Sequence, residues 1–242
     1  MTIENEDLSG KTILEVGSGR GDTTRRLVAL LAGKPGAELV VTDISEKFFA
    51  YLRAEFQSNN VQLRFTCTGA SELQDISTDS IDFLVCNYTL CAVNSQAGLA
   101  SLALRRFYEV LKPGGKLFIE EEFPISKQDT PTQKIWAEKW RILKSGMILA
   151  GQLPFHEFAP EVLADLCRLA GFEQVKWTEH TEMFKDSGVL DFFQRWLEPI
   201  LQEMPLESLR AGFTEMAATL KKNAVQAGGM EIPFYRLEAQ KA

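Results

Sequence analysis

Histidine and cysteine are scarce, with two histidines and four cysteines in 242 residues. The cysteines, Cys67, Cys86, Cys91 and Cys167, include no C-x-x-C pair. Neither a zinc ribbon nor a disulfide framework fits; reduced thiols packed as small hydrophobes are expected, with no metal site. No apolar run approaches the ~20 residues of a membrane-spanning helix, and the first residues are acidic where a secretory signal is basic and then apolar. A cytoplasmic protein without a membrane partner is therefore expected. A basic surplus is missing as well: 26 Lys and Arg against 33 Asp and Glu leave a net charge of −7. A surface of that sign opposes polyanions, which argues against nucleic acid as partner or substrate.

What the chain does contain is ordinary for a soluble globular fold, 45% hydrophobic and 24% charged, and its length suits one domain over residues 1–242. Short apolar runs alternate with amphipathic segments, the rhythm of a parallel sheet with helices on both faces. Strands are predicted over 12–16, 38–42, 61–67, 81–86, 116–120, 173–178 and 234–239, giving an α/β, Rossmann-like, doubly wound and mostly parallel seven-stranded sheet. Two stretches interrupt the rhythm. Residues 124–156 carry an apolar helical stripe of Ile135, Trp136, Trp140, Leu143 and Met147, with Lys134, Lys139, Arg141 and Lys144 expected on its solvated face; 188–229 read as two helices parted near Pro205, with Phe192, Phe193 and Trp196 among their apolar positions. Only about ten residues precede the first strand, so these helical insertions are the material available for a lid.

The first strand ends in Gly17-Ser18-Gly19-Arg20-Gly21, with Asp22 or Thr23 a possible cap for the helix beyond. Glycines there allow a tight turn and close approach of a ligand to backbone N–H groups. The spacing G-x-G-x-G is not the dinucleotide fingerprint, and Asp22 would oppose a pyrophosphate, so a less anionic ligand is indicated. Asp43, at the end of the second strand, is in place to accept hydrogen bonds from both hydroxyls of a ribose. Glu15 lies inside the first strand, where a carboxylate requires a partner, either loop N–H groups or the ligand.

The segments E-V-G-S-G-R-G from Glu15, D-I-S from Asp43 and L-K-P-G-G from Leu111 together resemble the class I S-adenosylmethionine-dependent methyltransferases over roughly residues 11–178. The resemblance implies S-adenosylmethionine as cofactor, with the backbone of Gly17, Ser18 and Gly19 at its methionine moiety, Asp43 on the ribose and Ile44 on the adenine. It also implies that Gly69, Ala70 and Ser71 occupy the adenine-edge motif, where Gly69 stands in place of the usual aspartate and leaves Ala70 to offer its backbone N–H. Asn87 and Tyr88 occupy the position after the fourth strand, near the transferred methyl group, and Asn87-Tyr88-Thr89-Leu90 departs from the N-P-P-Y signature of enzymes that methylate amide or base nitrogens.

Methyl transfer from a sulfonium is an in-line displacement in which the cofactor supplies the activated carbon, so the protein's task is to position a small-molecule acceptor and exclude water. His156 or His180 could serve as base for a hydroxyl acceptor, one of Glu120, Glu121 and Glu122 should project toward the ligand crevice, and Trp136, Trp140, Phe155 and Trp196 would suit an apolar or aromatic acceptor. The expected function is methyl transfer to a small organic acceptor; a non-catalytic S-adenosylmethionine-binding module and a nicotinamide-dependent dehydrogenase are the alternatives, the latter disfavoured by the glycine spacing. Oligomeric state leaves no mark in the pattern.

Overall fold

The computed structural model describes residues 3–57, 60–96, 98–185 and 188–242, with the side chains of 188–194, Phe192 and Phe193 among them, outside the described residues. Its strands are β1 (Thr12–Val16), β2 (Glu38–Asp43), β3 (Gln62–Cys67), β4 (Ile81–Asn87), β5 (Leu111–Glu122), β6 (Phe172–Phe184) and β7 (Met230–Lys241). The helices are α1 (Asp22–Leu31), α2 (Phe49–Glu55), α3 (Leu90–Val93), α4 (Leu99–Val110), α5 (Pro131–Leu149), α6 (Pro160–Leu169), α7 (Gly188–Glu203) and α8 (Glu207–Ala227). The strands form one seven-stranded mixed sheet in the order β3-β2-β1-β4-β5-β7-β6. Strands β3, β2, β1, β4 and β5 run parallel. The order reverses between β1, which pairs with β2 on one side, and β4 on the other. In a doubly wound sheet that reversal opens a crevice outside the carboxyl ends of the strands.

Two compact units divide the chain: Met1–Glu121 with Ala159–Thr178 and Arg236–Ala242, and Glu122–Phe158 with Glu179–Tyr235. In the first, alternation along the strands buries both faces, as parallel strands require. Ile13, Leu39, Val41, Phe83, Val85 and Phe118 pack with Leu27, Val28 and Leu31 of α1, while Leu14, Val40, Leu84 and Leu117, also fully buried, point by alternation to the opposite face. Asp82 ties together the start of this sheet. Its carboxylate accepts from Thr12 N at 3.0 Å and Lys112 Nζ at 2.7 Å, with Lys11 Nζ at 3.4 Å.

The second unit is mostly helical. Thr130 caps α5 by accepting from Gln133 N at 3.1 Å, with Pro131 at the first helical position, and Gln133 Oε1 accepts from Asp129 N at 2.8 Å. Gly146 lets α5 approach its neighbours, since a Cβ there would stand 3.1 Å from Ile200 and 3.3 Å from Phe213. The basic face expected of α5 is corrected at two of its four positions. Lys139 is wholly buried, its ammonium 4.3 Å from the centre of the Trp140 ring, and Lys144 pairs with Glu157. Burial pushes the Lys139 ammonium below its ordinary range, against the opposing pull of Glu122 and Glu157. The sequence contains the reason: Lys139 follows Trp136 by three and precedes Leu143 by four, which sets it on the apolar stripe.

Burial acts to raise the Asp82 carboxyl, but hydrogen bonds from Lys112 and Thr12, with the charges of Lys112 and Lys11, outweigh it and hold the group below the ordinary aspartate range. A depressed folded-state value contributes stability above the unfolded-state value that is lost as pH falls through the folded one. Asp82→Asn is expected to cost about 1.5–3 kcal/mol at pH 7, and urea titrations should show the deficit shrinking as the pH drops below the ordinary aspartate value. A deficit independent of pH would contradict the assignment.

Candidate active site

Strand β1 stops at a loop that no side chain other than hydrogen could enter at one point. Gly17 has φ 79°, and a Cβ there would lie 2.1 Å from Thr89 Oγ1. Gly17 N and Ser18 N both donate to Thr42 O, at 2.9 and 3.0 Å, while Thr42 Oγ1 donates to Glu15 O at 2.8 Å. Gly19 N donates to Asp43 Oδ2 at 2.8 Å, and Ser45 N to Asp43 Oδ1 at 2.9 Å. The loop and the end of β2 are thus one hydrogen-bonded piece, with Asp43 holding lone pairs in reserve. The helix beyond is not capped by Asp22 or Thr23, as expected from sequence. Gly21, at φ 92°, is its N-cap, packed so closely on Leu52 that a Cβ would lie 2.3 Å from it.

Glu15 receives Thr24 Oγ1 at 3.1 Å, whereas its second oxygen and the hydroxyl of Ser18 are buried without a hydrogen-bond partner. Desolvation pushes the Glu15 carboxyl up to about 8. Ile44, beside Asp43, is 78% exposed, which for a large aliphatic side chain leaves a flat apolar surface open. Gly69, Ala70 and Ser71 sit half-buried in the loop after β3. Gly69 O accepts from Glu72 N and Leu73 N, and the Arg106 guanidinium of α4 braces the loop by donating to Glu72 O at 2.9 Å and Ile76 O at 2.7 Å.

After β4, Asn87 Nδ2 donates to Thr23 Oγ1 at 3.3 Å, and Tyr88 is 44% exposed with its hydroxyl donating to Glu120 Oε1 at 2.8 Å. Glu121 Oε1 collects the N–H groups of Thr89, Leu90 and Cys91, at 2.9, 2.7 and 3.4 Å. Desolvation pushes its carboxyl up to about 7 against those hydrogen bonds. In the second unit, Glu122 Oε2 accepts from the indoles of Trp136 and Trp140, each at 2.5 Å. Each of the three glutamates thus holds a partner of the fold.

The aromatic residues separate likewise. Trp136 is wholly buried, while Phe155 makes edge contacts with Trp140 at 5.9 Å and the half-exposed Trp196 at 5.7 Å. His156 is exposed and His180 stacks on Phe234. Sequence reasoning named Thr23 only as a cap and Thr89 only within Asn87-Tyr88-Thr89-Leu90, and did not single out Thr24, Thr42 or Arg236. Of these only Thr23 and Thr24, directly after the glycine loop, stand where a helix turn returns side chains to β1.

The fold is that of Rossmann-like methyltransferases, and a family model described as a methyltransferase domain matches residues 13–115. The chain is similar to a thiol S-methyltransferase of Rattus norvegicus, 28% identical over 149 residues, 58% of this chain and 57% of that protein's length. It is similar also to a ubiquinone/menaquinone biosynthesis C-methyltransferase of Proteus mirabilis, 28% identical over 182 residues, 70% of this chain and 69% of that one. The structure of Haemonchus contortus phosphoethanolamine N-methyltransferase 2 with phosphomonomethylethanolamine and S-adenosylhomocysteine shares the fold, at TM-score 0.57 and 15% identity over 98% of this chain and 50% of that one. The matched residues and the fold set this chain beside the class I S-adenosylmethionine-dependent methyltransferases, whose cofactor is S-adenosylmethionine. The residues present fit that cofactor: an unpaired Glu15 oxygen and Ser18 hydroxyl beside the loop, open space at Gly19, and an exposed aliphatic side chain next to Asp43.

A carboxyl raised from the ordinary glutamate range to about 8 lowers folding stability as pH climbs between those two values, because the unfolded chain gives up its proton first. Glu15→Gln should flatten the fall in melting temperature of the free protein between about pH 4.5 and 8. An unchanged pH profile would show that Glu15 is ionised throughout.

Proposed function

We propose that the protein transfers the methyl group of S-adenosylmethionine to a small organic acceptor by direct in-line displacement. The observation that carries this reading is the convergence of Gly17, Ser18, Gly19, Asp43 and Asn87 at the carboxyl ends of the adjacent strands β2, β1 and β4, where the strand order reverses. Bound there, the cofactor supplies an electrophilic methyl carbon on a sulfonium. Asp43 accepts from the ribose hydroxyls, Ile44 packs on the adenine, Ala70 offers its N–H to the ring edge, Ser71 completes that wall, and Gly69 contributes no side chain. The backbone of Gly17, Ser18 and Gly19 follows the methionine moiety, Glu15 lies behind it, and Asn87 and Tyr88 flank the methyl group. The words thiol S-methyltransferase and ubiquinone/menaquinone biosynthesis C-methyltransferase in the relatives' names support a small molecule as acceptor, and the charge of −7 supports the exclusion of nucleic acid. The reading of residues 1–242 as one methyltransferase domain, with 124–156 and 188–229 as a lid, and a cytoplasmic location belong to the same proposal and rest on the sequence pattern.

Loss of charge-assisted hydrogen bonds in Asp43→Ala should weaken S-adenosylmethionine binding about ten- to a hundredfold in calorimetric titration; an unchanged dissociation constant would remove Asp43 from the site. Labelled methyl transfer offered separately to a small alkanethiol, a hydroquinone, RNA and DNA tests the acceptor class. Label on a small molecule is expected. Salt-sensitive labelling of nucleic acid would overturn the reading, and cofactor retention without turnover on any host metabolite fraction would favour the binding module. Hydrogen exchange over residues 132–151 tests the lid: protection should rise when cofactor and acceptor bind, and equal, strong protection in both states would show permanent core.

A further inference from the structure

Tyr88 has a backbone that its side chain disfavours. Its φ is 50°, a left-handed conformation rare for a bulky residue. Such a residue persists where its surroundings fix it, and here both of its donors go to one residue: Tyr88 N to Glu120 O at 2.7 Å and Tyr88 Oη to Glu120 Oε1 at 2.8 Å. Glu120 is opposite Asn87 in the β4–β5 register, and its side chain is 9% exposed. A carboxylate that buried needs compensation. Arg236, 116 residues on, supplies it with Nε on Glu120 Oε2 at 2.6 Å, and Arg26 of α1 adds Nη1 at 3.7 Å from Oε1 while reaching Glu4 at 3.1 Å. A cavity of about 30 Å³, the volume of one water, is lined by Glu4, Arg26, Asn87, Glu120 and Arg236.

We infer that Glu120 and Arg236 are positioning residues for methyl transfer, holding the Tyr88 ring in its left-handed turn as a fixed wall beside the methyl group. The inference rests on the methyltransferase reading above. The charges make the device specific: the arginine fixes the carboxylate, the carboxylate fixes the phenol, and the turn carries Asn87 with it.

The test uses the full chain labelled with ¹³Cζ-tyrosine, in which Tyr88→Phe identifies one of the four tyrosine signals, and S-adenosylhomocysteine as the probe. In the wild type the Tyr88 signal should move when the probe binds. Glu120→Gln and Arg236→Gln should leave the probe's dissociation constant within about twofold and abolish that response, with Arg236→Lys restoring part of it. Any acceptor found in the labelling panel should lose about tenfold or more in kcat in both variants, and Tyr88→Phe combined with Glu120→Gln should lose no more than the worse single change. A Tyr88 signal unmoved by a probe that binds would overturn the inference and leave the methyltransferase reading intact, as would a full response in both variants. Failure of the wild type to bind the probe would overturn the reading itself, and the inference with it.

Discussion

Everything at the carboxyl edge of the sheet depends on β1 ending without a side chain. Thr89 fills the space that a Cβ on Gly17 would need, 2.1 Å from the hydroxyl oxygen, and that oxygen donates to Asn87 O at 2.9 Å. Glu121 then gathers the N–H groups of Thr89, Leu90 and Cys91. The loop after β1 and the turn after β4 are thereby packed as one object, and the loop is fastened to β2 through Thr42 and Asp43. A substituent at residue 17 would force these apart, and the left-handed φ of 79° would oppose it independently.

The chemistry of that edge is set by carboxylates in three environments. Glu15 and Glu121 are desolvated and pushed up to about 8 and about 7, Glu120 is compensated by Arg236 and the Tyr88 hydroxyl, and Asp43 remains partly open with two backbone donors. Of these, Asp43 has lone pairs left after Gly19 N and Ser45 N, and they suit a ligand that brings donors, as a pair of hydroxyls does.

Strands β1, β2 and β4 were legible because they are buried on both faces, and β3 by its alternation of apolar and polar residues; β1 spans the predicted 12–16, and β2 to β4 differ from expectation by a residue at an end. The last three strands were read too short, β5 beginning at Leu111 rather than 116. Residues 179–184 and 230–233 extend β6 and β7, but Glu179, Thr181 and Glu182 are exposed and give no alternation to detect. Asp43 and the glycine loop were legible for the same local reason, a strand end followed by a helix. The partners of Glu120, Glu121 and Glu122 were not. Three consecutive glutamates alternate in direction, but their partners come from the turn after β4, from residue 236 and from α5, and only tertiary structure brings these to them.

The most direct test of the S-adenosylmethionine site is a crystal structure with S-adenosylhomocysteine bound. The ribose is expected within hydrogen-bond distance of the Asp43 carboxylate, the adenine against Ile44, and the sulfur facing Asn87 and Tyr88. A ligand bound away from the ends of β1, β2 and β4, or one whose ribose leaves Asp43 untouched, would contradict the assignment.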